Sequence, residues 1–124
     1  MTAVCQESVV DWLAVEFVCN GSKMRLSTDQ ATLEAAILTI GHMVPAKEIA
    51  ARCGTHPKTV SIVLRIHGAK QCLLCTRYLL CPEGIAPRHV ASTGLECEMG
   101  GFRVNDVERA ELIRATNRKL ARLM

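Results

Sequence analysis

The chain has 124 residues and a formal net charge of +3, and it is 49% apolar and 22% charged. This composition excludes a disordered protein and suits one compact unit, or two small modules that share a core. Aromatic residues make up only 3% of the chain, which argues against a stacking platform for single-stranded nucleic acid.

The sequence also bears on compartment and redox state. No apolar run is long enough to span a bilayer, and the N-terminus lacks the basic region of a signal peptide, so we expect a cytoplasmic protein with no membrane contact. Seven cysteines in a reducing compartment are either core residues or metal ligands. Cys5, Cys19 and Cys53 each stand alone in an apolar-periodic segment, and we predict that they are core residues.

Two helices are predicted before the middle of the chain. Residues 6–19 are apolar around most of a helical circumference, through residues such as Trp12, Leu13 and Phe17, which predicts a mostly buried helix. The next helix is predicted to open at Ser27, because Gln30 follows at the spacing of a capping box.

Residues 44–67 have the pattern of two helices joined by a tight turn. Gly54 ends the first helix, because glycine adopts the left-handed conformation at low cost. Pro57 suits the first turn of the second helix, where its missing N–H is not needed. Ala50 is small at the point where the second helix must cross the first. The pattern predicts a helix-turn-helix.

The spacing E-I-A-x-x-x-G-x(5)-V-x-x-V, from Glu48 to Val63, resembles the helix-turn-helix family shared by many bacterial and phage repressors and activators. The resemblance implies that the second helix enters the major groove of double-stranded DNA by its N-terminal part. Its outward residues are then the DNA-binding candidates: His56, Lys58, Thr59, Ser61, Ile62 and Arg65. Arg65 would read guanine, while Lys58 and Thr59 would contact phosphates or base edges. A structural helical hairpin with a solvated polar face is the alternative.

Residues 69–104 lack helical periodicity and contain many turn residues, so they cannot easily build a core unless a cross-link such as a bound metal ion holds them together. Cys72 and Cys75 form a C-x2-C knuckle of the kind found in structural zinc sites. The pattern C-x2-C-x13-H-x7-C, completed by His89 and Cys97, resembles a small zinc ribbon that accompanies helix-turn-helix modules in actinobacteriophage proteins. The resemblance implies a structural Zn²⁺ ion with four protein ligands.

Two other ligand sets remain open, as does the absence of a metal. Cys81 in place of His89 would give a four-cysteine site. Alternatively, the spacing C-x18-C-x2-C-x5-C, formed by Cys53, Cys72, Cys75 and Cys81, resembles the iron–sulfur motif of WhiB-like transcription factors. That resemblance implies a redox-sensitive iron–sulfur cluster.

Residues 105–124 predict a basic amphipathic helix with Asn105 as its N-cap. Its acidic residues come early and its basic residues late, which complements the helix dipole. One face repeats at helical spacing: Val107, Ala110, Ile113, Asn117, Leu120 and Met124. We expect this face to dock on the body, and the alternatives are a DNA-backbone contact or a homodimer interface.

Taken together, the patterns predict a mainly α protein with three parts: a helical domain over 1–68, a zinc-stapled segment over 69–104 and the helix over 105–124. The layout resembles small actinobacterial and actinobacteriophage DNA-binding proteins, which implies a transcriptional regulator in the cytoplasm of a bacterial host cell. The alternative is an adaptor that binds a transcription component such as a sigma factor. We do not expect an enzyme, because no acid–base pair or phosphate-binding glycine loop is evident.

Overall fold

A computed structural model describes residues 9–123. In that range the α-helices are α1 Trp12–Cys19, α2 Gln30–Ile40, α3 Ala46–Cys53, α4 Pro57–Ile66 and α5 Val107–Leu123. The strands β1 Lys70–Gln71 and β2 Tyr78–Leu79 pair antiparallel, and a 3₁₀ turn follows at Pro82–Gly84. The prediction of a mainly α fold is confirmed. Cys5, residues 6–8 of the predicted first helix and Met124 lie outside the described residues.

The first of two hydrophobic cores lies among α1, α2, α3 and α4. Ile49 and Cys53 of α3 share it with Val60 and Val63 of α4, as their spacing predicts. Cys19 is only partly buried at its edge. None of the helices between residues 9 and 123 combines the length and the apolar character that crossing a membrane requires.

The prediction that the first helix is mostly buried was wrong. The side chains of Trp12, Leu13 and Phe17 are 61%, 65% and 49% exposed. The helix buries only the side that carries Val15 and Val18. An apolar circumference predicts burial on all sides only if neighbours cover all of them, and among the described residues α2 provides the main cover.

Two predicted helix caps were displaced by one or two residues. Asp29, rather than Ser27, is the N-cap of α2, and its carboxylate accepts a backbone N–H three residues on at 3.2 Å. At α5, the carboxylate of Asp106, rather than Asn105, accepts the corresponding N–H at 2.9 Å. In both cases a carboxylate takes the capping role, because a negative charge also interacts favourably with the helix dipole.

The turn between α3 and α4 has the form expected from its residues. Gly54 adopts the left-handed conformation, with φ 66° and ψ 38°. His56 is the N-cap of α4, where its Nδ1 accepts the N–H of Lys58 at 3.0 Å, and Pro57 is the first helical residue. The two helices therefore meet at a tight turn that local chemistry specifies.

Gly54→Ala is expected to destabilise the protein more than Gly68→Ala. Both glycines have positive φ, which costs another residue about 1–2 kcal/mol. A Cβ at Gly54 would also lie 3.1 Å from the Cα of Arg25, whereas one at Gly68 meets nothing within 4 Å. Urea denaturation of both variants measures the difference, and equal losses of stability would contradict a steric role for the Gly54 turn.

The second core joins the loop-rich segment to α5. Its buried members are Cys72, Leu79, Ala86, Cys97, Met99, Val104, Ala110 and Ile113. Among the residues up to 123 of the face predicted for the last helix, the structure buries only Ala110 and Ile113, while Val107 and Leu120 are 61% and 53% exposed. The prediction of a fully docked face was therefore too broad, because residues 115–123 extend past the body and are all exposed.

Candidate metal centre

The hairpin of β1 and β2 carries the first pair of cysteines at its tip. The N–H of Cys72 donates to the carbonyl of Arg77 at 2.8 Å, and the N–H of Thr76 donates to the carbonyl of Cys72 at 3.0 Å. Thr76 closes this loop with a positive φ of 67°. The N–H of Leu74 points at the Cys72 sulfur at 3.4 Å, a contact that favours a thiolate there. The loop thus turns Cys72 and Cys75 to the same side.

A second turn presents the other two candidate ligands. Val90 and Glu96 form an antiparallel bridge, and the N–H of Cys97 donates to the carbonyl of His89 at 2.8 Å. The seven residues between His89 and Cys97 therefore fold back on themselves, which explains how residues this far apart in the chain become neighbours.

Cys72, Cys75, His89 and Cys97 form one compact group in which all four potential ligand atoms lie within 4.8 Å of one another. The Cys72 and Cys97 sulfurs are 3.8 Å apart. A regular tetrahedron with Zn–S bonds of about 2.3 Å has sulfur–sulfur edges of about 3.8 Å. This group can bind a metal ion, and its dimensions suit a single tetrahedral one.

The imidazole of His89 is oriented for coordination. It is fully buried, and its Nδ1 lies 2.7 Å from the carbonyl of Pro87. A carbonyl can only accept, so Nδ1 carries the proton and the lone pair of a neutral ring is on Nε2. That Nε2 is buried with no hydrogen-bond partner among the described residues. Metal-binding histidines are commonly held by such a second bond, and an ion would satisfy the orphaned nitrogen.

The sulfurs are too close to ionise together without a cation. A hydrogen bond from the Cys75 thiol lowers the pKa of Cys72 to about 3, and the same contact raises the pKa of Cys75. One sulfur therefore carries a charge while its neighbour keeps the proton, because two adjacent thiolates repel each other. A divalent ion would remove this conflict by replacing the proton.

The alternative ligand sets are not brought together in the described residues. Cys81 lies outside the group, and its half-buried thiol donates to the carbonyl of Leu79 at 3.4 Å. Cys53, required for the iron–sulfur pattern, is buried in the first core, whereas Cys72 belongs to the second.

No protein-family model, curated protein or solved structure matches this chain. The site must therefore be interpreted from its own geometry and from the surfaces that surround it.

The structure places the six DNA-binding candidates in two groups on α4. The exposed ones are His56, Lys58, Ile62 and Arg65, and the half-buried ones are Thr59 and Ser61. His56 uses its Nδ1 to cap the helix, which leaves only Nε2 for an outside partner.

The hairpin of β1 and β2, which carries Cys72 and Cys75 and is called the metal hairpin below, contacts the exposed face of α4 directly. The guanidinium of Arg65 lies over the ring of Tyr78, 5.2 Å from its centre, and Tyr78 is the first residue of β2. A cation–π contact at an exposed site is worth about 0.5–1 kcal/mol and restricts the side chain. The hairpin that holds Cys72 and Cys75 therefore also positions Arg65.

Arg77 connects the centre to the helical part, and sequence analysis missed it. Its Nη1 donates to the carbonyls of His42 at 2.8 Å and Val90 at 2.9 Å, and its Nη2 donates to that of Val44 at 2.7 Å. Arg77 thus connects the loop of Cys72 and Cys75 to residues 41–45, which lead into α3. The only sign of this role in the sequence was the position of a cation in a mainly apolar stretch after Cys75. That position did not indicate that the guanidinium would bond to backbone carbonyls.

His42 completes this connection as a neutral acceptor. Its Nε2 accepts the N–H of Leu80 at 3.1 Å. Burial, together with the nearby positive charge of Arg77, lowers the pKa of His42 to about 4. The ring is therefore uncharged at neutral pH and remains able to accept this hydrogen bond.

Proposed function

We propose that this chain is a small sequence-specific DNA-binding transcriptional regulator whose helix-turn-helix is supported by a structural zinc centre. The observation that carries the proposal is the exposed face of α4, on which Lys58, Ile62 and Arg65 stand beside a turn built on left-handed Gly54. The N-terminal part of α4 carries Lys58 and the half-buried Thr59, which suits the major groove, and Arg65 in the last turn suits guanine.

Zinc is the metal we propose for Cys72, Cys75, His89 and Cys97. Three thiolates and one imidazole in a tetrahedral arrangement are typical of structural zinc sites. Four protein ligands leave no position for an activated water, so the ion would stabilise the fold rather than perform chemistry. For the same reason we do not propose an enzymatic activity.

The partners follow from the same proposal. One helix-turn-helix binds weakly, and such proteins commonly pair on two half-sites of double-stranded DNA. We place the contact of a homodimer on α5, whose Leu120 and Leu123 are 53% and 83% exposed. The setting proposed is the cytoplasm of a bacterial host cell, in line with the phage and actinobacterial resemblance of the sequence.

A second candidate function is an adaptor that binds a protein of the transcription machinery, such as a sigma factor. The observation in its favour is the apolar surface of α1, where Trp12, Leu13 and Phe17 are exposed. The dependence of binding affinity on salt concentration distinguishes the two candidate functions. DNA affinity falls steeply with salt, because each neutralised phosphate releases counterions, whereas an apolar protein contact is nearly insensitive.

Arg65→Ala is expected to weaken binding to the preferred DNA site by about 1–3 kcal/mol and to relax discrimination at one base pair. The test is to select a preferred duplex from a random pool and to measure dissociation constants for wild type and variant at several salt concentrations. An equal loss on every duplex would mean that Arg65 touches only phosphate.

Arg88→Ala is the matched control. It removes the same charge from an exposed arginine that is already paired with Glu96 at 2.9 Å. We expect it to leave discrimination unchanged. If the wild-type protein selects no duplex from the pool, the DNA-binding proposal fails and the adaptor becomes the preferred function.

A further inference from the structure

A cleft of about 240 Å³ lies between the helix-turn-helix and the metal hairpin. Its walls come from the start of α3, one flank of α4, the residues after Cys75 and the loop at Ala91 and Ser92. Ser61, a predicted DNA-binding residue, lines this cleft and is half-buried. It therefore faces the hairpin flank and not the exposed face that carries Lys58 and Arg65.

Most polar groups around the cleft are donors or cations. Lys47 contributes an ammonium group, and Ser61 and Ser92 contribute hydroxyls. The Thr76 hydroxyl donates to the carbonyl of Cys75 at 2.5 Å, and Cys75 itself, a proposed metal ligand, also lines the wall. Arg77 adds a half-buried guanidinium whose close partners are neutral carbonyls. Among the described residues that line the cleft, none is acidic.

Helix α3 adds to the positive electrostatic potential of the cleft. It begins at Ala46 with Pro45 as N-cap, and no side chain caps its first N–H groups. Ala46 and Lys47 both line the cleft, so the positive end of the helix dipole lies at its wall. A zinc ion with three thiolates would carry one negative charge, which balances only one of the two cations, Lys47 and Arg77.

We propose that this cleft is a binding site for a phosphoryl group, held by Lys47, by the hydroxyls of Ser61 and Ser92, and by the field of Arg77. Its volume lies below the range typical of drug-sized ligands, about 300–1,000 Å³, and suits a phosphate or the phosphorylated end of a larger molecule. Charge-assisted bonds to phosphate oxygens are the strong kind.

Two sources supply this chemistry: a phosphate of the DNA backbone, or a free phosphorylated small molecule that regulates DNA binding. The inference rests on the proposed function only for its DNA source. Both sources require that inorganic phosphate itself bind in the cleft.

The experiment is a titration of the isotope-labelled, zinc-loaded full chain with inorganic phosphate, followed by amide NMR against sodium chloride at matched ionic strength. We expect saturable shifts at Ala46, Lys47, Thr76 and Ser92 that chloride does not produce. Lys47→Gln is expected to weaken phosphate binding about tenfold or more, because it removes a charge-assisted bond.

Two variants complete the set. Ser92→Ala, at an exposed residue, should weaken phosphate binding less than Lys47→Gln does. Lys23→Gln makes the same charge change at an exposed lysine beside the Gly54 turn and outside the cleft, and it should leave the phosphate titration unchanged. Shifts that match those of chloride, or phosphate affinity that survives Lys47→Gln, would overturn the site.

Adding DNA distinguishes the two sources. If a backbone phosphate occupies the cleft, duplex DNA displaces inorganic phosphate, and Lys47→Gln reduces the salt slope of DNA binding by about 1. If the occupant is a free molecule, phosphate and DNA bind together and the slope is unchanged. A protein that binds no DNA would refute the proposed function, while the phosphate titration would still decide on the cleft.

Discussion

Removal of the proposed zinc ion is expected to unfold the second core while most of the helical signal from α1 to α4 remains. Cys72 and Cys97 are proposed ligands and at the same time buried members of that core. The strands of the segment are only two residues long, and its other backbone hydrogen bonds lie in turns and isolated bridges, so little regular secondary structure supports it. Structural zinc supplies about 10–16 kcal/mol in small zinc-dependent peptides, which is comparable with the whole stability of a domain, about 5–15 kcal/mol.

The measurement combines elemental analysis with thermal unfolding. We expect one zinc per chain and a colourless protein. A strong chelator, or the substitution Cys72→Ser, should abolish the cooperative unfolding of residues 70–113 and leave a separate, less stable transition for the first core. Hydrogen exchange assigns each transition to its residues.

Cys81→Ser is the control for this prediction. Cys81 belongs to the same loop-rich segment but lies outside the ligand group, so the variant should keep its zinc and its unfolding temperature. Loss of zinc in Cys81→Ser would instead favour the four-cysteine site. Iron with a brown absorbance would favour the WhiB-like cluster, and a metal-free protein that unfolds like the wild type would refute the site.

The parts of the structure that were predictable from sequence are those that depend on local chemistry. Gly54 and Pro57 determine the turn between α3 and α4, because glycine adopts the left-handed conformation at low cost and proline, with its fixed φ and missing N–H, suits the first turn of a helix. The grouping of Cys72, Cys75, His89 and Cys97 was predictable from their spacing, because two turns of the backbone bring the four residues together. A mainly α fold followed from helical periodicity alone.

The parts that were not predictable depend on distant neighbours. Whether Trp12 is buried depends on what covers the outer side of α1, and its own segment gives no sign of this. Arg77 bonds to backbone carbonyls more than ten residues away, and every residue has a carbonyl, so no residue type marks its partners. Ser61 was predicted to face DNA from its position in the helix. In the structure it is half-buried and faces the hairpin of β1 and β2, which comes from a later segment of the chain.

Arg77→Ala is expected to lower the free energy of unfolding by about 2–6 kcal/mol, because two carbonyls lose their donor and each unsatisfied acceptor costs about 1–3 kcal/mol. The half-buried arginine donates to the carbonyls of His42, Val44 and Val90. Without it the carbonyls of Val44 and Val90 lose this donor, whereas the carbonyl of His42 still accepts the N–H of Val90 at 2.9 Å.

The same substitution separates the metal centre from the helix-turn-helix. None of the proposed ligands is changed, so Arg77→Ala should still hold one zinc per chain. The loop of residues 41–45 leads directly into α3, and its release should loosen the start of that helix. We therefore expect faster hydrogen exchange at the first turn of α3 and weaker DNA binding, with the zinc content unchanged.

Two further variants test whether the geometry of the guanidinium matters. Arg77→Lys keeps the charge but cannot reproduce the planar fork that reaches three carbonyls at once, so it should recover only part of the lost stability. Arg88→Ala removes an exposed arginine from a surface ion pair and should leave the stability almost unchanged. If Arg77→Ala were as stable as Arg88→Ala, the contacts of Arg77 would not be what joins the zinc-binding segment to the helices. The two cores would then have to be coupled through α4 and β2, where Arg65 lies over Tyr78.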